Sequence, residues 1–346
     1  MDRDILTRTI TESVVDRCIR EIEEDPKRSV RKLVDLGRQL ARGRFQRQYL
    51  DLTQKMLENE ESPYYTLVRN VVRKADHDAI KTFGINLGLG SWTNGARIIR
   101  ALEAEGQRHI PWGLTLHLDA SAEGGVPPLY RGVIEQGKTD GIFTYFLRAD
   151  APSCGLGPML ELVRRESACA FLLFAPPEAF TPEITAAVAG CHNLSASVDT
   201  EKPGWEQVAH RLEAARCLYG VYRTYEDGEQ AREITTGNWL KRVTRACCPA
   251  LAFCFAGGSC PEPVSRRVEG YIRRARTEQY YSVFLMDFFS DYLYVDEIIS
   301  GKRCFLGLRP DGTLTRYRDG CEADTEERLD GRALHTIWGL EIDKVK

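Results

Sequence analysis

The sequence predicts an α/β protein: a partial (β/α)6, TIM-like barrel over residues 110–262, a helical region before it (1–109) and a C-terminal extension built on a hairpin after it (263–346). Three observations predict this. From residue 110 onward, six apolar strand-length runs alternate with amphipathic helix-length segments. The runs are continuously apolar, as in Cys169-Ala170-Phe171-Leu172-Leu173-Phe174, the pattern of strands covered on both faces. Near the C-terminus, Arg309-Pro310-Asp311-Gly312 stands between two short β-prone runs and reads as a hairpin turn.

The helical region opens with residues 9–24, where Ile10, Val14, Val15, Cys18 and Ile22 recur at helical spacing and Asp25-Pro26 stops the run. A second helix carries Val30, Leu33, Val34, Gly37, Leu40 and Ala41 on one face. Residues 27–47 hold eight basic residues and one acid, Asp35. That run is a docking patch or a solvated helix face, and the solvated face is favoured, since Phe45 is the one aromatic among its charges. Residues 50–58 continue the helical pattern, and Pro63 opens a helix toward Val72. The glycine-rich stretch 83–95 reads as a turn before a helix. It fits neither phosphate-loop pattern, so close backbone packing is the expected reason for its glycines.

The barrel strands are expected at 114–118, 142–147, 169–174, 194–198, 218–225 and 250–255, with helices at 130–138, 157–165, 181–189, 204–216 and 237–246 between them. Six units fall short of a closed barrel, so a curved, partly open one is expected. The extension has an Arg-rich helix at 263–277, a strand at 282–288, hairpin strands at 304–308 and 313–317, and a charged tail from Glu322 read as peripheral.

Composition narrows the function classes. The chain has 346 residues, 43% hydrophobic and 28% charged, with net charge −3. That is a globular composition with no overall nucleic-acid-binding signature. No apolar run reaches about 18 residues, so no membrane span is expected. The N-terminus is charged from its second residue, unlike a secretory leader, so a cytoplasmic location is expected. The eleven cysteines sit mostly in apolar runs and form no CxxC pair, which points to buried free thiols. Cys248, Cys254 and Cys260 are evenly spaced, which suits a core as well as ligation.

Several segments, in order, carry a family likeness. Ile110-Pro111-Trp112 before a strand, residues 134–142, Cys169 to Phe174, Val283 to Phe289, Val295 to Gly301 and Pro310 to Leu314 resemble radical SAM proteins with a SPASM-like C-terminal region, across residues 55–321. The resemblance implies a partial barrel whose first-strand loop holds an iron–sulfur cluster by CxxxCxxC, with S-adenosylmethionine on the open iron.

The sequence departs from that pattern at each part of the chemistry. The loop at 119–128 has no cysteine. The turn after the second strand reads Ala149-Asp150-Ala151-Pro152 where the family has Gly-Gly-Glu-Pro. Ile298 and Tyr317 stand where the auxiliary cysteines belong. The resemblance therefore implies a degenerate pseudoenzyme without iron–sulfur cluster, S-adenosylmethionine or metal, binding a small ligand, a peptide or a protein partner. An enzyme with replaced chemistry, or an accessory subunit for a radical SAM paralogue docking through Arg38, Arg42 and Arg44, are the alternatives.

Candidate site residues follow from the rule that barrel chemistry sits at strand C-termini. His117 and Asp119 are two apart on the first strand and share a face, as a proton-transfer pair or a hydrogen-bonded lining. Arg148 and Asp150 end the second strand and Cys154 lies just past it, as ligand-binding candidates. Asp199 ends the fourth strand, and Arg223 on the fifth is the expected counter-charge. Metal-hydrolase histidine spacings and a nucleophile elbow are both absent.

Overall fold

The computed structural model describes residues 3–40, 50–51, 53–106, 109–118, 128–149, 155–318, 320–329 and 334. The N-terminal region is helical: α1 (Arg3–Ile22), α2 (Pro26–Leu40), α3 (Pro63–Lys74), α4 (His77–Ile85) and α5 (Ala96–Glu105). Asp25 separates α1 from α2, and the Ser62 hydroxyl accepts from Tyr64 N at 3.2 Å to cap α3, with Pro63 as its first residue. Ile19, Ile22, Val30, Val34, Leu57, Tyr65 and Val72 form a small core of their own. The described cations of the basic run are largely engaged: Lys32 pairs with Glu21 at 2.7 Å, Arg38 with Asp51 at 2.8 Å, and Arg31 donates to Leu57 O and the Tyr65 hydroxyl. Arg42 and Arg44 lie outside the described residues.

The glycine-rich stretch differs from expectation. Asn86–Gly95 is a π-helical segment joining α4 to α5 without a turn. The physical reason is packing: a Cβ on Gly95 would strike Gly141 O, and one on Gly141, itself at φ +93°, would lie 2.7 Å from Gly95 O. Helix α5 can approach the sheet this closely only through paired glycines.

Ten strands form one curled sheet in the order β10-β9-β8-β1-β2-β3-β4-β5-β6-β7. These are β1 (Gly113–Leu118), β2 (Thr144–Ala149), β3 (Ala170–Ala175), β4 (Leu194–Asp199), β5 (Tyr219–Tyr225), β6 (Leu251–Ala256), β7 (Phe284–Asp287), β8 (Leu306–Leu308), β9 (Thr313–Arg318) and β10 (Cys321–Arg328). The first seven are parallel and pair in chain order. The crossover helices are α6 (Pro128–Asp140), α7 (Leu156–Arg165), α8 (Pro182–Ala189), α9 (Trp205–Ala214), α10 (Gly228–Thr235), α11 (Asn238–Ala246) and α12 (Glu262–Thr277). With strands in sequential order and right-handed crossovers, all of them cover one face.

Three expectations are corrected. The parallel run has seven strands rather than six, because Phe284–Asp287 pairs with β6 through Leu251, Ala252, Phe253 and Cys254. The Arg-rich segment read as the start of the extension is the crossover helix α12, which buries Val268, Ile272 and Ala275 against the sheet side and turns Arg266, Arg267, Arg273 and Arg274 outward. The tail from Glu322 is not peripheral. It is β10, antiparallel to β9, and the hairpin rejoins the sheet because β8 pairs parallel with β1. None of the described helices is long and apolar enough to cross a membrane.

Helix α13 (Phe288–Ser300) follows β7 and packs on the face opposite the crossover helices. Its Phe288 ring stacks on Phe255 at a 4.4 Å centroid distance and meets Phe146 and Phe174 edge-on at 5.2 and 5.6 Å. Tyr292 packs on Phe146 and Trp112, and its hydroxyl donates to Gly113 O. The inner face of the half-barrel is therefore an aromatic core.

Candidate functional site

Register decides which side chains share the inner face. His117 on β1 is the direct partner of Arg148 on β2, and Arg148 of Phe174 on β3. Cross-strand partners point the same way, so the three form one row near the C-terminal ends of the strands. Arg148 lays its guanidinium over the Phe255 ring at 4.6 Å. Its charge is thus held against the aromatic core from above.

The residue that organises this corner is Glu322, on β10. Its Oε1 lies 2.5 Å from His117 Nε2 and accepts from the Thr315 hydroxyl, and its Oε2 lies 3.6 Å from an Arg148 nitrogen. The His117 and Glu322 side chains are 5% and 8% exposed. Burial pushes the Glu322 carboxyl up, but the His117 and Arg148 charges and the hydrogen bonds from His117 and Thr315 outweigh it and hold the group below its ordinary range. Gly307 on β8 makes room: a Cβ there would press on the Thr315 hydroxyl and lie 2.6 Å from Glu322 Oε1. The Tyr130 hydroxyl on α6 bridges the carbonyls of His117 and Leu308 at 2.5 and 3.0 Å, which locks β1 to β8 beside the cluster. Five strands and a helix thus converge on one buried ion pair.

The other predicted residues are placed as follows. Asp199 ends β4 on the inner-face side, as the partner of Tyr222. Burial raises its carboxyl, which accepts from Glu201 N at 2.9 Å. Arg223 is the partner of Cys254 and belongs to the opposite face, under α11, with its guanidinium 5.8 Å from the Trp239 ring. It pairs with Glu201 at 3.1 Å. Arg223 therefore does not join His117 and Arg148, because odd and even strand positions point to opposite sides of a sheet. Asp119, Asp150 and Cys154 lie outside the described residues.

Two further buried ionic clusters escaped the sequence reading. His109, before β1, is held between Asp296 on α13 at 2.9 Å and Glu103 on α5 at 3.1 Å. Burial opposes its charge, but its hydrogen bonds with Asp296, Cys304 and Glu103, the carboxylates accepting, push it up to about 11. Asp296 also accepts from Trp112 N at 3.1 Å and Cys304 N at 2.7 Å. Arg276 on α12 makes a two-pronged pair with Asp291 on α13 at 2.6 and 2.8 Å. Beside it Asp287 caps α13, and burial pushes its carboxyl up to about 7.

The described cysteines are mostly buried. Of the ten described, eight are buried, and Cys248 and Cys304 are half-buried. A cluster on this fold needs three convergent thiolates. With Cys154 alone outside the described residues, at least two of the three must come from described positions. Among the described residues, the one group of three or more His, Cys, Asp or Glu ligand atoms within 4.8 Å of one another is Asp76, Asp78 and His192, with no cysteine and two of the three exposed. Ile298 packs against the hydrophobic core and Tyr317 against Phe289, so both serve apolar packing.

With the geometry in view, comparison with known proteins adds the fold. No protein-family model and no curated protein sequence matches the chain. Among solved structures, SuiB of Streptococcus suis bound to the precursor peptide SuiA superposes with a TM-score of 0.50 at 9% identity, covering 70% of this chain and 68% of that one. SuiB bound to S-adenosylmethionine gives 0.49 at 10% identity, over 70% and 67%. The half-barrel has the radical SAM fold. At this identity the likeness extends to the fold alone, and the site stands on its own geometry.

Proposed function

We propose that this chain is a radical-SAM-fold protein that has given up radical chemistry and binds a polypeptide partner. The observation that carries the reading is the packing of the inner face. In a cofactor-using half-barrel that face must leave space for the cluster and S-adenosylmethionine. Here Phe288 and Tyr292 of α13 pack against Phe146, Phe174 and Phe255 on that face, with Arg148 over Phe255 and beside Glu322, which supports the reading. The cysteine-free loop at 119–128 and the apolar Ile298 and Tyr317 point the same way. Support for a polypeptide partner comes from the fold neighbour SuiB, captured with its precursor peptide. His117 and Glu322 are too buried to meet a substrate and act as an ionic rivet between β1 and the hairpin. Anaerobic incubation with S-adenosylmethionine and dithionite tests this. The expected result is no 5′-deoxyadenosine above a protein-free control; enzyme-dependent 5′-deoxyadenosine overturns the proposal.

A further inference from the structure

Helices α9 and α11 enclose an open groove of about 660 Å³ on the helix-covered side of the sheet, away from the inner face. Glu206, Asn238, Lys241, Arg242, Arg245 and Ala246 line it. Three of these six are cations and one is an acid, on a chain whose net charge is −3. The patch is therefore a local concentration against the trend of the molecule. Lys241 and Arg245 are exposed, and no ion pair with either is found among the described residues. Arg242 is fixed in place by Glu201 at 3.1 Å and by the Trp205 ring at 5.8 Å. Glu201 also serves the buried Arg223, so one carboxylate is shared by two guanidiniums and leaves positive charge at the groove.

We propose that this groove docks an acidic polypeptide segment. Its shape and spacing choose among anions. Lys241 and Arg245 are four apart on one helix face, which sets their stems about 5–6 Å from each other. Alternate side chains of an extended peptide are about 7 Å apart, so carboxylates at alternate positions reach both cations. A small phosphate calls for donors converging on one point, whereas these are strung along a helix in an open channel. Single-stranded nucleic acid calls for aromatic faces to stack on, and the tryptophans here, Trp205 and Trp239, are buried at 6% and 0% exposure.

Fluorescence anisotropy of a fluorescein-labelled peptide of alternating glutamate and glycine, titrated with the full chain at low salt, tests the proposal. Saturable binding is expected, weakening as salt rises. The double variant Lys241→Glu/Arg245→Glu should weaken it about tenfold or more. Arg267→Glu/Arg274→Glu, a charge reversal of the same size on exposed positions of α12, should leave it unchanged. Circular dichroism checks that both variants fold. No binding, equal loss in the two variants, equal binding of the matching lysine peptide, or tighter binding of oligothymidylate each overturns the proposal. The groove lies on the opposite side of the sheet from the aromatic core, so its failure would leave the cofactor reading standing.

Discussion

Replacing Glu322 by glutamine asks whether the buried cluster holds the fold together or serves chemistry. The substitution keeps the shape and one carbonyl acceptor. It removes the charge that faces His117 at 2.5 Å and Arg148 at 3.6 Å, and it buries an NH2 group among donors. An unsatisfied buried donor costs about 1–3 kcal/mol, and a buried charge stripped of its partner about 3–5 kcal/mol. A loss of ~3 kcal/mol is therefore expected in urea unfolding. The His117→Gln/Glu322→Gln cycle should show a coupling of about 2 kcal/mol. The pH dependence follows from the same geometry. The folded carboxyl sits below its ordinary value of 4.5, so its contribution is present above that value and is lost as pH falls through the depressed one. The wild-type chain should therefore lose stability on acidification more steeply than Glu322→Gln. A destabilisation under about 0.5 kcal/mol, or a gain, would refute the structural role; catalytic groups commonly release strain when removed.

Other outcomes follow from the same packing. His109→Gln should cost about 3 kcal/mol, because Asp296 stays fully buried with only backbone donors left. Since His109 is pushed up to about 11, its contribution is complete below its ordinary 6.5 and fades as pH rises through about 11; urea melts across the alkaline range should show that fade in wild type and not in the variant. Gly307→Ala should destabilise by about 1–3 kcal/mol by forcing Glu322 and Thr315 aside, measurable as a lowered urea midpoint. Phe288→Ala should cost about 3–5 kcal/mol and leave a dry aromatic cavity, detectable as stabilisation by benzene that the wild type does not show.

The barrel strands were legible because a parallel strand buried on both faces leaves an unbroken apolar run, and Ala170–Ala175 and Leu251–Ala256 do so. His117 and Arg148 were each legible as strand-end candidates, but the sequence paired them with Asp119 and Asp150 rather than with each other; the β1–β2 register joins them. Their carboxylate was not legible. Glu322 lies 205 residues after His117, in a charged segment whose local pattern resembles any solvated tail, and only the β8–β9–β10 return brings it in. Arg223 was read as a counter-charge to the strand-end acids, and its strand is apolar on both faces, so its face, under α11, came only from the register. The π-helical Asn86–Gly95 read as a turn because glycine disfavours helix, and the Gly95–Gly141 approach that outweighs this preference is a long-range contact. Helix α12 was read as a boundary because its exposed arginines drew attention away from the three residues it buries.

The central claim is that this half-barrel keeps the radical SAM fold with an inner face given to packing rather than to a cofactor. Iron and sulfide quantification after anaerobic reconstitution and desalting tests it most directly. The account predicts no stoichiometric iron and no charge-transfer absorbance. About four irons per chain, with the visible spectrum of a thiolate-held cluster, would contradict it.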